Sequence, residues 1–224
     1  AIEHALSAGV LQSRVRNRFG SQTFAFSGTG NVDGSVRDLP ANPVPNDENT
    51  NRDERSTELS LRDAITIDER STLWLGLRHT RLHRESVRTD GSRPTNYAQS
   101  FTTPFVAASY AFAPQQFVYA SWSRGIESEV VPNRSRYVNA GQPLPSLKSR
   151  QVELGLKGSS DRAEWSAAWF DIRRPLFADI GSCIVDGSCL RQVDGEQRHR
   201  GVETSASTRL DTWTLRAGAQ WLRA

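Results

Sequence analysis

Between residues 150 and 158 the chain places Val152, Leu154 and Leu156 on one parity and Gln151, Glu153, Gly155 and Lys157 on the other. A helix makes poor use of that order, because its i, i+3, i+4 stripe would set Glu153 or Lys157 among the leucines. An extended strand uses it well, since successive side chains leave opposite faces. The same period of two runs through Leu73, Leu75 and Leu77 against Thr72, Trp74, Gly76 and Arg78. It returns in Trp213, Leu215, Ala217, Ala219 and Trp221 against Thr214, Arg216, Gly218 and Gln220. Nowhere does an apolar run approach the ~18 residues of a membrane helix. That excludes a helical membrane protein and leaves a membrane β-barrel open, whose alternating strands never look apolar in bulk; only 37% of the 224 residues are hydrophobic.

The pattern predicts nine strands, at about 4–18, 52–67, 71–86, 100–112, 116–126, 149–158, 163–177, 197–208 and 213–224. Several exceed the ~5–6 residues of soluble strands and match the ~9–11 or more that cross a tilted bilayer path. Short polar connections at 68–70, 113–115, 159–162 and 209–212 alternate with long ones at about 19–51, 87–99, 127–147 and 178–196. An all-β, antiparallel up-and-down meander follows, with tight turns on one rim and long loops on the other. Aromatics near strand ends (Phe112, Phe117, Trp122, Trp165, Trp169 and Trp213) fit interfacial girdles. A soluble β-sandwich or propeller, with those aromatics in a core, is the competing architecture. One residue resists the barrel register: Asp63 falls in line with Leu59, Leu61 and Ile65, where a carboxylate at mid-membrane would cost a few kcal/mol and less near the rim. Nine strands cannot close by themselves, since an open edge leaves unpaired N–H and C=O groups in lipid. The chain therefore reads as a piece, residues 1–224, of a larger barrel domain.

Charge and motif searches remove other functions. A net charge of +3, from 28 basic and 25 acidic residues, is too balanced for a nucleic-acid footprint. His79 and His83 would stand about 13 Å apart on a strand, too far for one metal. The Gly-rich stretch 27–34 has no following helix and makes a poor phosphate cradle. Asp33, Asp38, Asp47, Glu48 and Asp53 read as a solvated loop and not a cation site. No nucleophile–base or paired-carboxylate set is found, so neither an enzyme nor a cofactor is expected.

Several stretches together resemble the TonB-dependent siderophore receptors: FVYASWSRG at 117–125, VPN at 131–133, NAGQPLP at 139–145 and LKSRQVELGLK at 147–157. LGLR at 75–78, AWFDIRRP at 168–175 and RHRGVETS at 198–205 support them in order and approximate spacing. The resemblance implies a 22-stranded barrel in a Gram-negative outer membrane, filled by an N-terminal plug and energised by the TonB complex. It implies uptake of a ferric siderophore, with outer-membrane lipid around the wall. Nothing in this stretch resembles the plug or the last barrel strand. Arg78, Glu153, Lys157, Glu203 and Arg216 are the candidate plug-facing lumen residues, and Gly76, Gly155 and Gly201 are read as leaving room for a plug. Tyr97, Arg134, Arg136, Tyr137 and Phe177 are the candidate ligand contacts, by aromatic packing and by guanidinium pairing with an anionic chelate. Cys183 and Cys189, around the turn-forming Asp186-Gly187, predict a loop disulfide suited to an oxidising cell surface. No metal site is predicted there. A passive outer-membrane channel or scaffold is the alternative function for the same barrel.

Overall fold

The computed structural model describes residues 1–23, 30–35 and 44–224. They form β1 (Glu3–Asn17), β2 (Thr50–Thr66), β3 (Ser71–Arg88), β4 (Thr95–Ala113), β5 (Gln116–Glu127), β6 (Leu147–Ser159), β7 (Ala163–Gly181), β8 (Cys189–Leu210) and β9 (Trp213–Arg223). One antiparallel sheet holds all nine in sequence order, with β1 and β9 at its edges. The expected meander is present, and tight turns join β2 to β3, β4 to β5, β6 to β7 and β8 to β9 at one end. Among the described residues no helix is long and apolar enough to cross a membrane.

Register resolves the two faces. Reading across β5 to β9, Ala120, Leu154, Trp169, Val202 and Trp221 stand directly opposite one another. The adjacent row on that face is Val118, Leu156, Ala167, Thr204 and Ala219. This is an apolar wall with nothing packed on it: Leu154 is 51% exposed and Leu61 56%. The other face carries Gln151, Glu153, Glu203 and Gln220, and there Phe170 is only 7% exposed. A sheet with bare leucines outside and charges inside is inverted relative to a soluble sandwich, and it fits a wall between lipid and a polar lumen. Toward the loop end the apolar wall stops at His79 on β3, Arg150 on β6 and Arg200 on β8. Along the pairing rows that edge steps progressively, the stagger that tilted barrel strands impose.

Three lumen-face glycines behave differently from expectation. Gly76 lies opposite Phe105, Gly155 opposite Tyr119 and Gly201 opposite Phe170. A Cβ at each would meet that aromatic ring, and at Gly201 also the Trp221 carbonyl. The space above these glycines is thus filled by the cross-strand ring rather than left for a plug. The ring shields a strand position that has no side chain of its own, which is the aromatic rescue of glycine seen in sheets.

The loop rim also departs from the sequence pattern. β3 and β4 continue to Arg88 and from Thr95, leaving a tight hairpin where a long loop was expected, and β7 and β8 pair as far as Gly181 and Cys189. Beyond the apolar wall both faces are polar, so the period of two vanishes while the backbone ladder goes on. Phe117 is opposite Lys157 on the lumen face and so leaves the girdle; Trp122, Trp165, Trp169 and Trp213 stay on the apolar wall. Asp63 does lie on that wall, opposite Leu6 and Leu75, and His4 Nδ1 meets its carboxylate at 2.8 Å. Only Ile65 and Ile67 separate it, on that face, from the β2–β3 turn.

This assignment of faces makes a direct prediction. In the full-length protein folded into phosphatidylcholine vesicles, Leu154→Lys should lose about 2–4 kcal/mol in urea unfolding, whereas Gln151→Lys on the opposite face should lose well under half of that. Equal losses would mean the faces are misassigned.

Candidate functional site

At the loop end, residues 128–146 do not hang free. They form a strap that crosses the sheet from the β3–β4 hairpin to the β7–β8 hairpin. Val131, Tyr137, Leu144 and Cys189 make a small buried core, with Ala140, Phe177 and Cys183 packed against it. The backbone of the strap is tied on both sides: Val138 N–H donates to the Cys189 carbonyl at 2.8 Å and Cys189 N–H to the Arg136 carbonyl at 3.0 Å. Asn139 completes that seam, donating to the Arg191 carbonyl at 2.7 Å and accepting from the Arg191 N–H at 3.2 Å. At the far side, Arg88 donates to the Asn133 carbonyl at 2.9 Å and to Asp47 at 3.0 Å, and the Asn133 amide donates to the Arg93 carbonyl. Arg88 therefore joins three loops. Hydrogen bonds from Gln22 and Arg88 hold the Asp47 carboxyl below its ordinary pKa.

A second hub sits under the strap. The Arg191 guanidinium reaches Glu129 at 2.5 Å and Asp179 at 2.7 Å. Tyr137 donates its hydroxyl to the same Asp179 at 2.8 Å, and Arg136 donates to that hydroxyl at 3.0 Å. Arg136 also lies over the Tyr137 ring, 4.9 Å from its centre, and Arg191 5.9 Å from that of Phe177. Cys183 and Cys189 are joined in a disulfide. Asp179 approaches both sulfurs, but a disulfide offers no thiolate to a metal.

The five candidate ligand contacts divide on this platform. Tyr137, Arg136 and Phe177 come together. Tyr137 is 4% exposed and Tyr97 6%, so both are packed inside the platform; Tyr97 hydrogen-bonds Gln99, which in turn reaches Ser146 at the end of the strap. Arg134, in the same strap, is exposed. Arg191, Glu129, Asp179 and Arg88 were not singled out from sequence. They stand at strand ends and in Pro-rich loop, where no period marks them. Of the acidic loop residues, Asp38 lies outside the described residues, as do Ser27, Gly28 and Thr29 of the Gly-rich stretch.

The five candidate lumen charges all occupy the polar face. Lys157 and Arg216 border one hollow of about 590 Å³, floored by Ser166 and Ser205. Arg78 borders another of about 560 Å³ with Arg62 and Phe105, and it pairs with Glu58 at 3.4 Å. Glu153 accepts from Tyr119 at 2.5 Å and from Gln151 at 3.2 Å, while Lys157 lies 4.9 Å from the Tyr119 ring. Glu203 stands in the same row as Tyr119, Gly155 and Ala168.

A sequence model described as TonB dependent receptor-like, beta-barrel, matches residues 4–224. The chain belongs to this family. It is 29% identical over 178 residues to the ferrichrome receptor FcuA of Yersinia enterocolitica, covering 75% of this chain and 22% of FcuA. Its fold is that of BauA, the ferric preacinetobactin receptor of Acinetobacter baumannii: TM-score 0.70 at 23% identity, over 99% of this chain and 33% of BauA. The siderophore receptor PiuA of the same organism gives a TM-score of 0.72 at 17% identity, over 99% of this chain and 35% of PiuA. The chain thus spans between a fifth and about a third of the proteins it resembles. The long-loop end corresponds to the cell exterior and the tight-turn end to the periplasm.

If Arg191 anchors the strap, Arg191→Ala should leave Glu129 and Asp179 without their common partner and cost about 1–3 kcal/mol locally. Amide hydrogen exchange across 130–144 of the full-length receptor should then quicken by roughly ten- to a hundredfold, with the strands below unchanged.

Proposed function

We propose that the intact protein is an outer-membrane receptor of a Gram-negative cell that takes up a ferric siderophore with energy from the TonB complex, and that it performs no catalysis and holds no resident cofactor. The observation that carries this reading is the braced platform at the exterior end of a charged lumen. A simple pore is served by mobile loops, whereas a receptor needs a preorganised surface, because ordering loops on binding subtracts from affinity. Arg134 and Arg136, with the ring edge of Phe177, are the groups of this segment that meet the ligand; an arginine suits an anionic chelate and an aromatic ring its apolar backbone. The relatives named for ferrichrome and for ferric preacinetobactin support ferric siderophores as the class.

Lys157, Arg216, Arg78, Glu153 and Glu203 face the plug domain in the full-length receptor. Charges of both signs at strand height keep water or a polar plug against the wall, and they exclude the dry core of a sandwich. A passive channel would share such a lumen, and conductance separates the two. The full-length protein should be nearly silent in planar bilayers.

An iron-starved strain lacking its own receptor, given the full gene, should grow on at least one member of a panel of ferric siderophores and fail when TonB is absent. Growth without TonB, or on none of the panel together with steady conductance, would assign the barrel to a channel.

A further inference from the structure

The disulfide-closed loop at the tip of the β7–β8 hairpin carries much of the strap. Besides the seam at Cys189, the strap's Ser135 donates its hydroxyl to Asp186 at 2.6 Å. Its carbonyl accepts from the Gly187 N–H at 3.0 Å. Tyr137 forms a parallel bridge with Cys189, whose side chain is wholly enclosed in the strap core. Residues 135–138 are thus held by 186–189, which lie inside the loop that Cys183 and Cys189 close.

Apart from the disulfide, little gives that loop its shape. The β7–β8 ladder stops where Gly181 stands opposite Cys189. Beyond it the backbone turns left-handed at Gly181, Cys183 and Gly187. The glycines adopt this freely, whereas Cys183, at φ 54°, bears a steric cost. No burial of the tip offsets that cost, since Ile184 is 89% exposed and Val185 63%. The loop's own hydrogen bonds are local, among Ser182, Val185 and Ser188.

The two sulfurs also differ in access. Cys189 is enclosed, while Cys183 lies at the edge of the core and is partly exposed. A small thiol therefore meets the Cys183 Sγ first. Its thiolate attacks that sulfur, the S–S bond breaks, and the Cys189 Sγ leaves with the bonding pair. A second thiolate attacks the outer sulfur of the mixed disulfide and releases the Cys183 Sγ. Two thiols are joined as a small disulfide, and the two protons they lost end on the two cysteines.

We infer that Cys183–Cys189 is a thiol-sensitive latch, whose reduction frees the strap from the β7–β8 tip. Its purpose rests on the receptor reading above; the latch itself does not. Oxidising surroundings keep iron ferric and insoluble, and they keep the platform braced. Surroundings rich in thiols reduce iron to the soluble ferrous ion, which needs no siderophore, and they slacken the platform.

The test follows amide exchange in the full-length receptor in detergent micelles, first oxidised, then reduced with glutathione, then resealed with glutathione disulfide. Alkylation and mass spectrometry report the two thiols. In the reduced receptor, amides over 135–138 and 186–189 should exchange roughly tenfold faster or more, with the membrane strands unchanged and the slow rate restored on resealing. Cys183→Ser/Cys189→Ser should show the fast rate with or without glutathione. Should that variant not fold, the reduced wild type, already folded when treated, decides alone. A bond that glutathione leaves intact, exchange unaltered by reduction, or a glutathione response that persists in the serine variant would each overturn the latch. Binding of ferrichrome and of ferric preacinetobactin is measured alongside by tryptophan quenching. Whichever binds should bind roughly tenfold more weakly after reduction, and undiminished affinity on a loosened strap would overturn the link to uptake. A strap that loosens in a protein binding neither chelate upholds the latch and counts against the choice of chelate alone.

Discussion

Backbone hydrogen bonding is the constraint from which the rest of this structure follows. A strand in hydrocarbon has no water to satisfy its N–H and C=O groups, and each one left bare costs several kcal/mol. Every strand from β2 to β8 has a hydrogen-bonded neighbour on each side, and β1 and β9 can be satisfied in a bilayer only by neighbours that continue the wall. With the ladder obligatory, side chains are free to answer to two solvents. That freedom produces the leucine and tryptophan wall and, one residue away, Glu153, Lys157 and Glu203. It also explains why glycine is tolerated in mid-strand: Gly76, Gly155 and Gly201 keep their ladder bonds and borrow an aromatic cover from the strand beside them.

Above the membrane the same ladders serve a different purpose. Continued pairing of β3 with β4 and of β7 with β8 raises two stiff hairpins to which a loop can be fastened. The strap of 128–146, interrupted by Pro132, Pro143 and Pro145, could not hold a shape by its own secondary structure. It is shaped instead by two arginines that reach it from strand ends. Arg88 joins it to the loop before β2, and Arg191 gathers Glu129 and Asp179 beneath Tyr137. The strap is therefore a surface whose conformational entropy has already been removed by contacts within the protein, which is what the proposed receptor role requires.

How much of this was legible in the sequence depends on whether water or lipid lay on one face. Val152, Leu154 and Leu156 against Gln151 and Glu153 fix a strand and its faces without help. Over 191–196, Arg-Gln-Val-Asp-Gly-Glu, β8 runs through largely exposed residues and nothing in their order separates the strand from a loop. The strap was likewise read as plain loop. Its signal was weak but present: Val131, Leu144 and Tyr137 are apolar or aromatic residues amid prolines, and loops exposed throughout rarely carry such a set. Asp63 looked like an error of register because its partner His4 lies 59 residues away on another strand, a relation that only pairing reveals.

Arg124, Arg150, Arg173 and Arg198, which stand opposite one another across β5 to β8, show the limit most clearly. Arg150 and Arg173 flank the tight turn at 160–162, so their opposition could be worked out once that turn is placed, because turn length sets hairpin register. Arg124 joins them only through the β5–β6 pairing, whose connection is the 19-residue strap segment and imposes no register by its length. Arg198 joins through β7 and β8, where a bulge near Pro175 and Phe177 shifts the count. Each arginine alone reads as an ordinary charge above the hydrocarbon, of the kind that ends a membrane strand. Aligned, they set like charges side by side at a cost that a soluble sheet would shed by substitution.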